Sequence, residues 1–313
     1  MDYALFQYRI KSAMDTIRSL QYFVRAVELG SLSAVAREHG TTQPTVSKIV
    51  AALEDSLGVR LLERSTSSLS PTVQGQRFYE RSKGVLEDYA EAVADARGET
   101  QTASGLLRVN APVALGQFRL NALVQEFLAQ YPEMEIELIL NDRMVDLVEE
   151  GVDVALRLGG ELPPNAIARR IASSPRWLVA SPGYLKSHPK LRQPEDLAAH
   201  DYIRFAWLST GGMVELHNGE RSARIETRGR YRVNNALAIR ESLEMGAGIG
   251  LCPAWLIQDL LASHKLVRVL PDWHGAVQDL SLLYPSRRHH PLRARLFMDF
   301  LQARVPQQAG FET

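Results

Sequence analysis

The chain has 313 residues, of which 36 are basic and 36 acidic, so its formal net charge is zero. Hydrophobic residues make up 45% and charged residues 23%, which excludes disorder over most of the chain and favours two or three globular domains. No signal-peptide core, no membrane-length apolar run and only one cysteine are present, so we predict a cytoplasmic protein without an internal disulfide.

The N-terminal quarter of the chain predicts a helix-turn-helix. Residues 1–13 are interpreted as an extension with little structure. Apolar residues then recur at helical spacing in three segments, which are Ile17–Leu29, Leu32–His39 and Gln43 to about Leu57. Ser31 and Thr42 are the expected N-caps of the last two. Two short helices around a tight turn at Gly40 are typical of a helix-turn-helix, in which the second helix enters the major groove of DNA.

A wing and a long helix are predicted next. Val59–Arg64 and Leu69–Pro71 are expected to be strands around a polar tip, Ser65–Ser68. Thr72 then caps a helix that reaches about Arg97. One seam of this helix indicates dimerisation, with packing against its own domain as the alternative; its members are Phe78, Ser82, Val85, Tyr89, Ala92 and Ala96. The predicted domains are residues 14–72 for DNA binding and 73–105 for a linker helix and hinge.

From Leu106 onward, strands and helices alternate, which predicts an α/β domain over residues 106–313 with a mostly parallel sheet. We expect lobe I at about 106–173 and 276–304, and lobe II at about 174–275. The predicted strands are Leu107–Ala111, Glu135–Asn141, Val152–Arg157, Arg176–Ala180, Tyr231–Val233, Ile249–Cys252 and Leu280–Tyr284. The predicted helices are Gly116–Gln130, Arg143–Glu150 with Asp142 as its cap, Pro182–His188, Ala236–Gly246 and Leu292–Ala303. Cys252 lies in an apolar segment and is expected to be an inert buried thiol.

Several stretches of the chain resemble the LysR-type transcriptional regulators. They are Leu20–Val24, Gln43–Lys48, Leu53–Glu54, Leu57–Arg64, Pro71–Thr72 with Gly75, Gly151–Gly159 and Gly246–Gly250. The resemblance implies a winged helix-turn-helix, a linker helix and a two-lobed, periplasmic-binding-protein-like sensor. It also implies a homo-oligomer, usually a dimer of dimers, that binds promoter DNA and responds to a small-molecule effector.

The resemblance also implies the residues that contact DNA. Five of them face the major groove, namely Gln43, Pro44, Thr45, Ser47 and Lys48. Arg64 contacts phosphate from the wing, and Arg18 and Thr42 are further candidates. Many relatives have arginine at the position of Lys48, and lysine lacks the bidentate fork that reads guanine. Residues 15–72 hold six basic and six acidic residues, so we expect modest DNA affinity per subunit.

Ligands of such sheets bind at the carboxyl ends of the strands, between the lobes. The candidate effector residues chosen by this position are Ala111, Pro112, Val113, Asn141, Asp142, Arg157, Phe205, Trp207, Asn234 and Gly248. Free N–H groups at the helix start near Val113, together with Arg157, favour a small organic or aromatic acid. For Arg157 a structural ion pair between the lobes is the alternative.

No catalytic or metal-binding pattern stands out. The chain has no nucleophile elbow, no glycine-rich phosphate loop and no paired-carboxylate signature, and its histidines lack zinc spacing. We therefore predict a protein that is not an enzyme and that holds no metal or cofactor. Two alternatives stay open, a cytosolic solute-binding protein and an enzyme on a two-lobed α/β scaffold.

Overall fold

The structure, a computed structural model, describes residues 3–64, 69–97, 103–160, 166–206, 212–285 and 290–313. Its internal contacts divide it into two units, Met1–Thr102 and Ala103–Thr313. The predicted wing tip (Ser65–Ser68), most of the predicted hinge (residues 98–102) and Trp207 lie outside the described residues. None of the helices within these ranges is both long and apolar enough to cross a membrane.

The first unit contains three helices, a hairpin and a long fourth helix. Its elements are α1 (Tyr3–Leu29), α2 (Leu32–Glu38), α3 (Gln43–Leu57), β1 (Leu62–Arg64), β2 (Leu69–Pro71) and α4 (Val73–Ala96). β1 and β2 are antiparallel, and the predicted helices of this unit are confirmed. The prediction of little structure for residues 1–13 is wrong from Tyr3 onward, because α1 continues unbroken through them.

Local signals position the helices of the first unit. The Ser31 hydroxyl accepts the Ala34 amide (3.3 Å) and starts α2 as predicted. Gly58 ends α3 in the left-handed conformation (φ +69°), which glycine adopts at low cost. Thr42 occupies the N-cap position of α3, but its predicted side-chain cap is wrong, since its hydroxyl bonds that of Thr45 instead (2.9 Å). The apolar faces of α1, α2 and α3 meet in one core around the fully buried Phe23.

The second unit is built on one large mixed sheet and a separate two-stranded sheet. Its elements begin with β3 (Gly105–Ala111), α5 (Val113–Leu115), a π-helix (Gly116–Leu120), α6 (Asn121–Gln130), β4 (Met134–Leu140), β5 (Val154–Leu158), β6 (Ala166–Ala180), α7 (Pro182–Ser187) and a 3-10 helix (Pro194–Ala199). They continue with β7 (Arg204–Phe205), β8 (Met213–Asn218), β9 (Arg221–Glu226), β10 (Arg232–Val233), α8 (Ala236–Glu244), β11 (Ile249–Pro253), α9 (Ala254–Ala262), β12 (Val267–Arg268), β13 (His274–Pro285) and α10 (Leu292–Arg304).

The prediction of a mostly parallel sheet is wrong. Only β4 and β5 run parallel to β3, whereas β13 is antiparallel to β5 and β6, and β11 is antiparallel to β6. The reason is that β6 and β13 are long and paired with each other along both lobes, so each lobe receives antiparallel neighbours at its centre. The strand order in the described part is β11-β6-β13-β5-β3-β4, with α6 and α10 packed on the lobe I side.

The predicted helix Arg143–Glu150 does not form, and this segment is irregular with a turn at its end. Its expected cap, Asp142, directs its carboxylate elsewhere and accepts the amide of Val113. Asp146 competes with helical hydrogen bonding, because its carboxylate accepts the amides of Val148 and Glu149 (2.8 and 3.0 Å). Helical spacing of apolar residues was therefore a misleading signal in this segment.

The crossover between the lobes is held by a hydrogen-bonded group around Trp255, which is 2% exposed. The Ser174 hydroxyl of β6 accepts the Trp255 amide (3.3 Å), and the indole N–H donates to Gln278 of β13 (3.2 Å). The Phe311 ring stacks on the indole, with ring centroids 6.0 Å apart. These contacts join both crossover strands to the C-terminal segment.

Cys252 lies in β11 and is 2% exposed. Burial raises the pKa of its thiol to about 12, so the thiol stays protonated at neutral pH. The prediction that this thiol is buried is confirmed.

Candidate nucleic-acid interface and effector cleft

Helix α3 has a buried apolar face and an exposed polar face. Val46, Val50 and Leu53 are buried against α1 and α2. The exposed side chains at the helix start are Gln43, Pro44, Thr45 and Lys48, while Ser47 is partly buried. Lys48 takes part in no ion pair with another residue that the structure describes. The structure thus brings the predicted major-groove residues together at one polar and mostly exposed helix start.

Much of the negative charge of this unit is used inside the fold. Arg25 forms ion pairs with both Glu28 and Glu38, and the resulting hydrogen bond lowers the pKa of the Glu38 carboxyl. One carboxylate oxygen of Glu54 accepts the amides of Leu61 and Leu62 (2.7 and 3.0 Å). Three of the six acidic residues between positions 15 and 72, Glu28, Glu38 and Glu54, are therefore held by contacts within the fold.

The remaining predicted DNA contacts are placed less directly. Arg18 lies on α1, donates to the Tyr22 hydroxyl (3.1 Å) and lies 5.4 Å from the centre of that ring. Thr42 is exposed beside the start of α3. Arg64 ends β1, but its side chain lies outside the described residues. Arg60 was not among the predicted DNA contacts. It is exposed where the chain enters the hairpin.

In the second unit, Asp142 joins the two lobes. One of its carboxylate oxygens accepts the Val113 amide (3.1 Å), and the other lies 3.4 Å from the Asn235 side-chain nitrogen. Asn235 in turn caps α8 by accepting the amides of Leu237 and Ala238. The expectation of free N–H groups at Val113 is therefore corrected, since a carboxylate of the chain itself occupies the first of them.

Arg157 is 7% exposed and points toward backbone oxygens. Its guanidinium donates to Leu156 O (2.8 Å) and Arg143 O (3.4 Å), and its Nε has no partner among the described residues. Burial lowers the pKa of this guanidinium, and the negative charges of Asp142 and Glu150 oppose that shift. This geometry favours a structural role, through backbone hydrogen bonds rather than through the predicted ion pair.

The lobe II side of the cleft is formed by β7 and β10, which pair in parallel with Phe205 beside Val233. Phe205 is partly buried and packs against the main core, whereas Asn234, just after β10, is exposed. Gly248 is buried, and a Cβ at this position would lie 2.4 Å from the carbonyl oxygen of Asp201. Phe205 and Asn234 therefore offer an aromatic face and a polar side chain next to Asn235.

On the lobe I side, the candidates differ in what they expose. Ala111 is 0% exposed, so only its backbone can face a ligand, and its carbonyl already accepts the Asn141 amide (3.0 Å). Pro112 and Val113 are partly buried at the helix start. The Asn141 side-chain oxygen is buried and has no partner in the part of the chain that the structure describes. It is an acceptor that a ligand or water can satisfy.

Sequence reasoning missed three features of this cleft. Asn235, rather than its neighbour Asn234, reaches Asp142, and its position just before a predicted helix was the available signal. Arg119 donates to Trp255 O (2.7 Å) and ties the π-helix to α9. No sequence signal indicates the π-helix itself, a local irregularity that is frequent at functional sites.

A separate surface pocket of about 520 Å³ lies on lobe II, between the start of α7 and the ends of α8 and α9. Its lining includes Ser181, Tyr184, Met245 and an ion pair of Glu244 with Lys265 (2.6 Å). In this ion pair the positive charge of Lys265 and the negative charge of Glu244 neutralise each other. The pocket includes none of the predicted effector residues.

The seam of α4 divides into two parts. Phe78 packs against the core of the first unit, with its ring 5.5 Å from that of Phe23, and Ser82 is 3% exposed. Further along the helix, Val85 and Tyr89 are 49% and 48% exposed. The alternative of packing within its own unit therefore holds for the first part of the seam, and the second part is an uncovered apolar surface.

Two family models match the chain. Residues 17–76 match the model described as a bacterial regulatory helix-turn-helix protein of the lysR family, and residues 100–306 match the LysR substrate binding domain. The second match alone covers well over half of the chain.

Relatives and solved structures agree with these matches. The probable HTH-type transcriptional regulator LtrA of Klebsiella pneumoniae is 30% identical, over 94% of this chain and 96% of its own length. The full-length structure of AphB, a virulence activator of Vibrio cholerae, is 32% identical with a TM-score of 0.58, and 91% of this chain and 98% of AphB are covered. CrgA, a LysR-type transcriptional regulator from Neisseria meningitidis, is 27% identical with a TM-score of 0.60, over 92% of this chain and 98% of CrgA.

Proposed function

Because the chain belongs to the LysR family of transcription regulators, we propose that it binds promoter DNA through the exposed face of α3 and that a small molecule bound between the sensor lobes controls this binding. The observation that carries the proposal is the free polar start of α3, where Gln43, Thr45 and Lys48 are exposed on a helix whose opposite face is buried. Such a helix inserts its N-terminal residues into a major groove.

The DNA-contacting residues take different roles. Gln43 presents an amide that can hydrogen-bond an adenine edge, whereas the Lys48 ammonium is a point charge suited to phosphate or to a guanine acceptor. Pro44, Thr45 and Ser47 position the helix start against the groove. Arg18, Thr42 and Arg64 supply contacts to the flanking phosphates, which fix register but carry no sequence information.

The effector site is proposed between Val113 and Asn141 of lobe I and Phe205 and Asn234 of lobe II. Asp142 and Gly248 complete its lining, and Pro112 and the backbone of Ala111 form its floor. An aromatic acid fits the aromatic face of Phe205 and the helix start at Val113. Because Asp142 already occupies the Val113 amide, an incoming carboxylate has to displace it or bind beside it.

The proposed DNA-binding function also suggests how the protein associates with itself and where it acts. The exposed part of the α4 seam, Val85 and Tyr89, is a surface for a second copy, and two such dimers give a dimer of dimers. Since its target is DNA, the protein is expected to act in the cytoplasm.

The experiment is a titration of full-length protein with labelled DNA from its own upstream region and with a scrambled duplex, over a series of salt concentrations. Specific regulation predicts tighter binding to the upstream DNA, by about a thousandfold or more, and a negative slope of log affinity against log salt. Equal affinity for the two duplexes at every salt concentration would contradict a site in this region. Small organic acids are then screened on the specific complex, and only compounds that change it are candidate effectors.

A further inference from the structure

The sensor unit carries an unusually basic segment. Residues 221–232 hold five arginines and a single acidic residue, Glu226, in a chain whose net charge is zero. Arg224 is paired with Glu215 (3.4 Å). Four other arginines lie along β7, β10 and the segment that leads into β10, and we call them the arginine cluster: Arg204, Arg228, Arg230 and Arg232.

Backbone pairing brings the arginine cluster together. Arg204 and Arg232 are direct partners in the parallel β7–β10 pair. The carbonyl of Arg228 accepts the Tyr202 amide (2.7 Å), two residues before Arg204. A Cβ on Gly229 would lie 1.9 Å from Tyr202 O, so the segment is pressed tightly against the strand. Three of the four arginines, Arg204, Arg228 and Arg232, therefore lie on backbone that is paired with a neighbouring segment.

This arrangement places like charges opposite each other, although the bridge partner of Arg228 is an acidic residue, Asp201. Like charges directly opposite each other on neighbouring strands are destabilising, and Arg204 faces Arg232 in register. In the part of the chain that the structure describes, no ion pair involves any member of the cluster, and Arg228, Arg230 and Arg232 are exposed. Arg204 is partly buried beside Gly212, with its Nε unpartnered among the described residues. A polyanion would supply the missing counter-charge.

An aromatic side chain refines the class of partner. Tyr231 stands between Arg230 and Arg232 in the sequence and is 46% exposed. Exposed arginine and aromatic side chains in one segment are suited to nucleic acid, because guanidinium groups contact phosphates and a ring can pack on sugar or base. The opposite side of the same strands carries Phe205 and Val233, which pack toward the core and the effector cleft. The cluster is thus separate from the effector site but shares its strands.

We propose that the arginine cluster is a second DNA-contacting surface of this protein, which binds the phosphate backbone without reading sequence. The inference rests on the proposed DNA-binding function, since α3 would hold the duplex to the same chain and raise its effective concentration at the cluster. It also accounts for how a DNA-binding segment with six basic and six acidic residues obtains additional phosphate affinity.

The test compares full-length wild type with the triple variant Arg228→Gln, Arg230→Gln and Arg232→Gln, using fluorescence anisotropy on upstream and scrambled duplexes over a salt series. Each lost phosphate contact lowers the magnitude of the log–log salt slope by about 0.9. We expect a decrease of about 2 to 3 for the triple variant and about 0.9 for Arg230→Gln alone. Affinity should fall about tenfold or more on both duplexes, with their ratio unchanged.

A matched control removes the same charge elsewhere on the sensor unit. Arg169→Gln, Arg192→Gln and Arg295→Gln are all exposed positions outside the cluster, and this variant should keep the wild-type slope and affinity. A cluster variant that binds both duplexes with the wild-type affinity and salt slope overturns the inference. If wild type itself fails to select its upstream DNA, the proposed function fails instead.

Discussion

Arg157 shows how burial determines the role of a charged side chain. It lies on β5 among buried residues, and its two hydrogen bonds go to the backbone carbonyls of Leu156 and Arg143. No acidic side chain in the described residues lies within ion-pair distance of it. A guanidinium held in this way anchors the turn segment after β4 to the sheet, and it is not positioned primarily for a ligand.

Replacement of Arg157 by alanine should therefore lower stability. The buried carbonyl of Leu156 and the carbonyl of Arg143 lose this donor, which costs about 1–3 kcal/mol of unfolding free energy. Urea unfolding followed by circular dichroism measures this loss, with Arg169→Ala as an exposed control that should leave the midpoint unchanged. An unchanged midpoint for Arg157→Ala, combined with a lost effector response, would assign Arg157 to the ligand instead.

His200 makes stability depend on pH. It is 2% exposed, its Nδ1 lies 3.2 Å from the Tyr184 hydroxyl, and its Nε2 has no partner among the described residues. Burial, followed by the nearby charge of His188, lowers the pKa of His200 below 6.5. Below about pH 6.5 the unfolded chain binds a proton that the folded chain does not, so stability falls as the pH decreases from that value.

We expect the urea midpoint of wild type to fall as the pH is lowered from about 7.5 to about 5.5, a range of roughly one pH unit on either side of the ordinary histidine pKa. The midpoint of His200→Gln, which lacks this titrating group, should fall by less. His264→Asn, at an exposed position, should retain the wild-type pH dependence. Parallel pH curves for wild type and His200→Gln would show that His200 is not the responsible group.

At the scale of elements, two glycines on α4 have opposite surroundings. A Cβ on Gly75 would lie 1.9 Å from Leu61 O, whereas a Cβ on Gly84 would meet nothing within 4 Å. The close approach at Gly75 lets the start of α4 pack against the chain just before β1. Gly84 lies in the helix interior, where glycine only weakens the helix.

Alanine substitutions at these glycines should change stability in opposite directions. Gly75→Ala forces α4 away from Leu61 and should cost about 2 kcal/mol or more. Gly84→Ala should add about 0.5–1 kcal/mol through helix propensity. Chemical unfolding of both variants checks the pair, and a shift of both midpoints in the same direction would contradict the packing at Gly75.

The elements of the first unit could be predicted from sequence because each is defined by local signals, such as Ser31 at a cap and Gly58 at a helix end. The second unit depends on distant partners. Asp142 has the sequence position of a helix cap, but it bonds Val113, which lies 29 residues earlier. Likewise, β6 was predicted only from Arg176, because the pairing with β13 that extends it back to Ala166 is not visible in a local pattern.

At the scale of the whole molecule, net neutrality conceals an uneven distribution of charge. Residues 133–153 hold eight acidic residues and one basic residue, whereas residues 221–232 hold one acidic and five basic residues. In the first unit, three glutamates are used in internal hydrogen bonds and ion pairs. The total charge is thus a poor guide to DNA binding, and the position of each charge determines what a partner meets.

Assembly is expected to depend on the exposed part of the α4 seam. The double variant Val85→Glu and Tyr89→Glu introduces two charges into this apolar surface and should reduce the mass measured by sedimentation or light scattering, together with the affinity for DNA. Lys83→Glu changes the charge by the same amount outside the seam and should leave both unchanged. A double variant of wild-type mass would place the oligomer interface elsewhere.

The proposed function depends most on base recognition by α3, and Gln43→Ala tests this recognition most directly. The measurement is the ratio of affinities for upstream and scrambled duplexes at one salt concentration, for wild type and variant. We predict that the ratio falls by about 5- to 150-fold, equivalent to the 1–3 kcal/mol of one base contact, while binding to scrambled DNA is nearly unchanged. An unchanged ratio, or an equal loss on both duplexes, would contradict base reading by this residue.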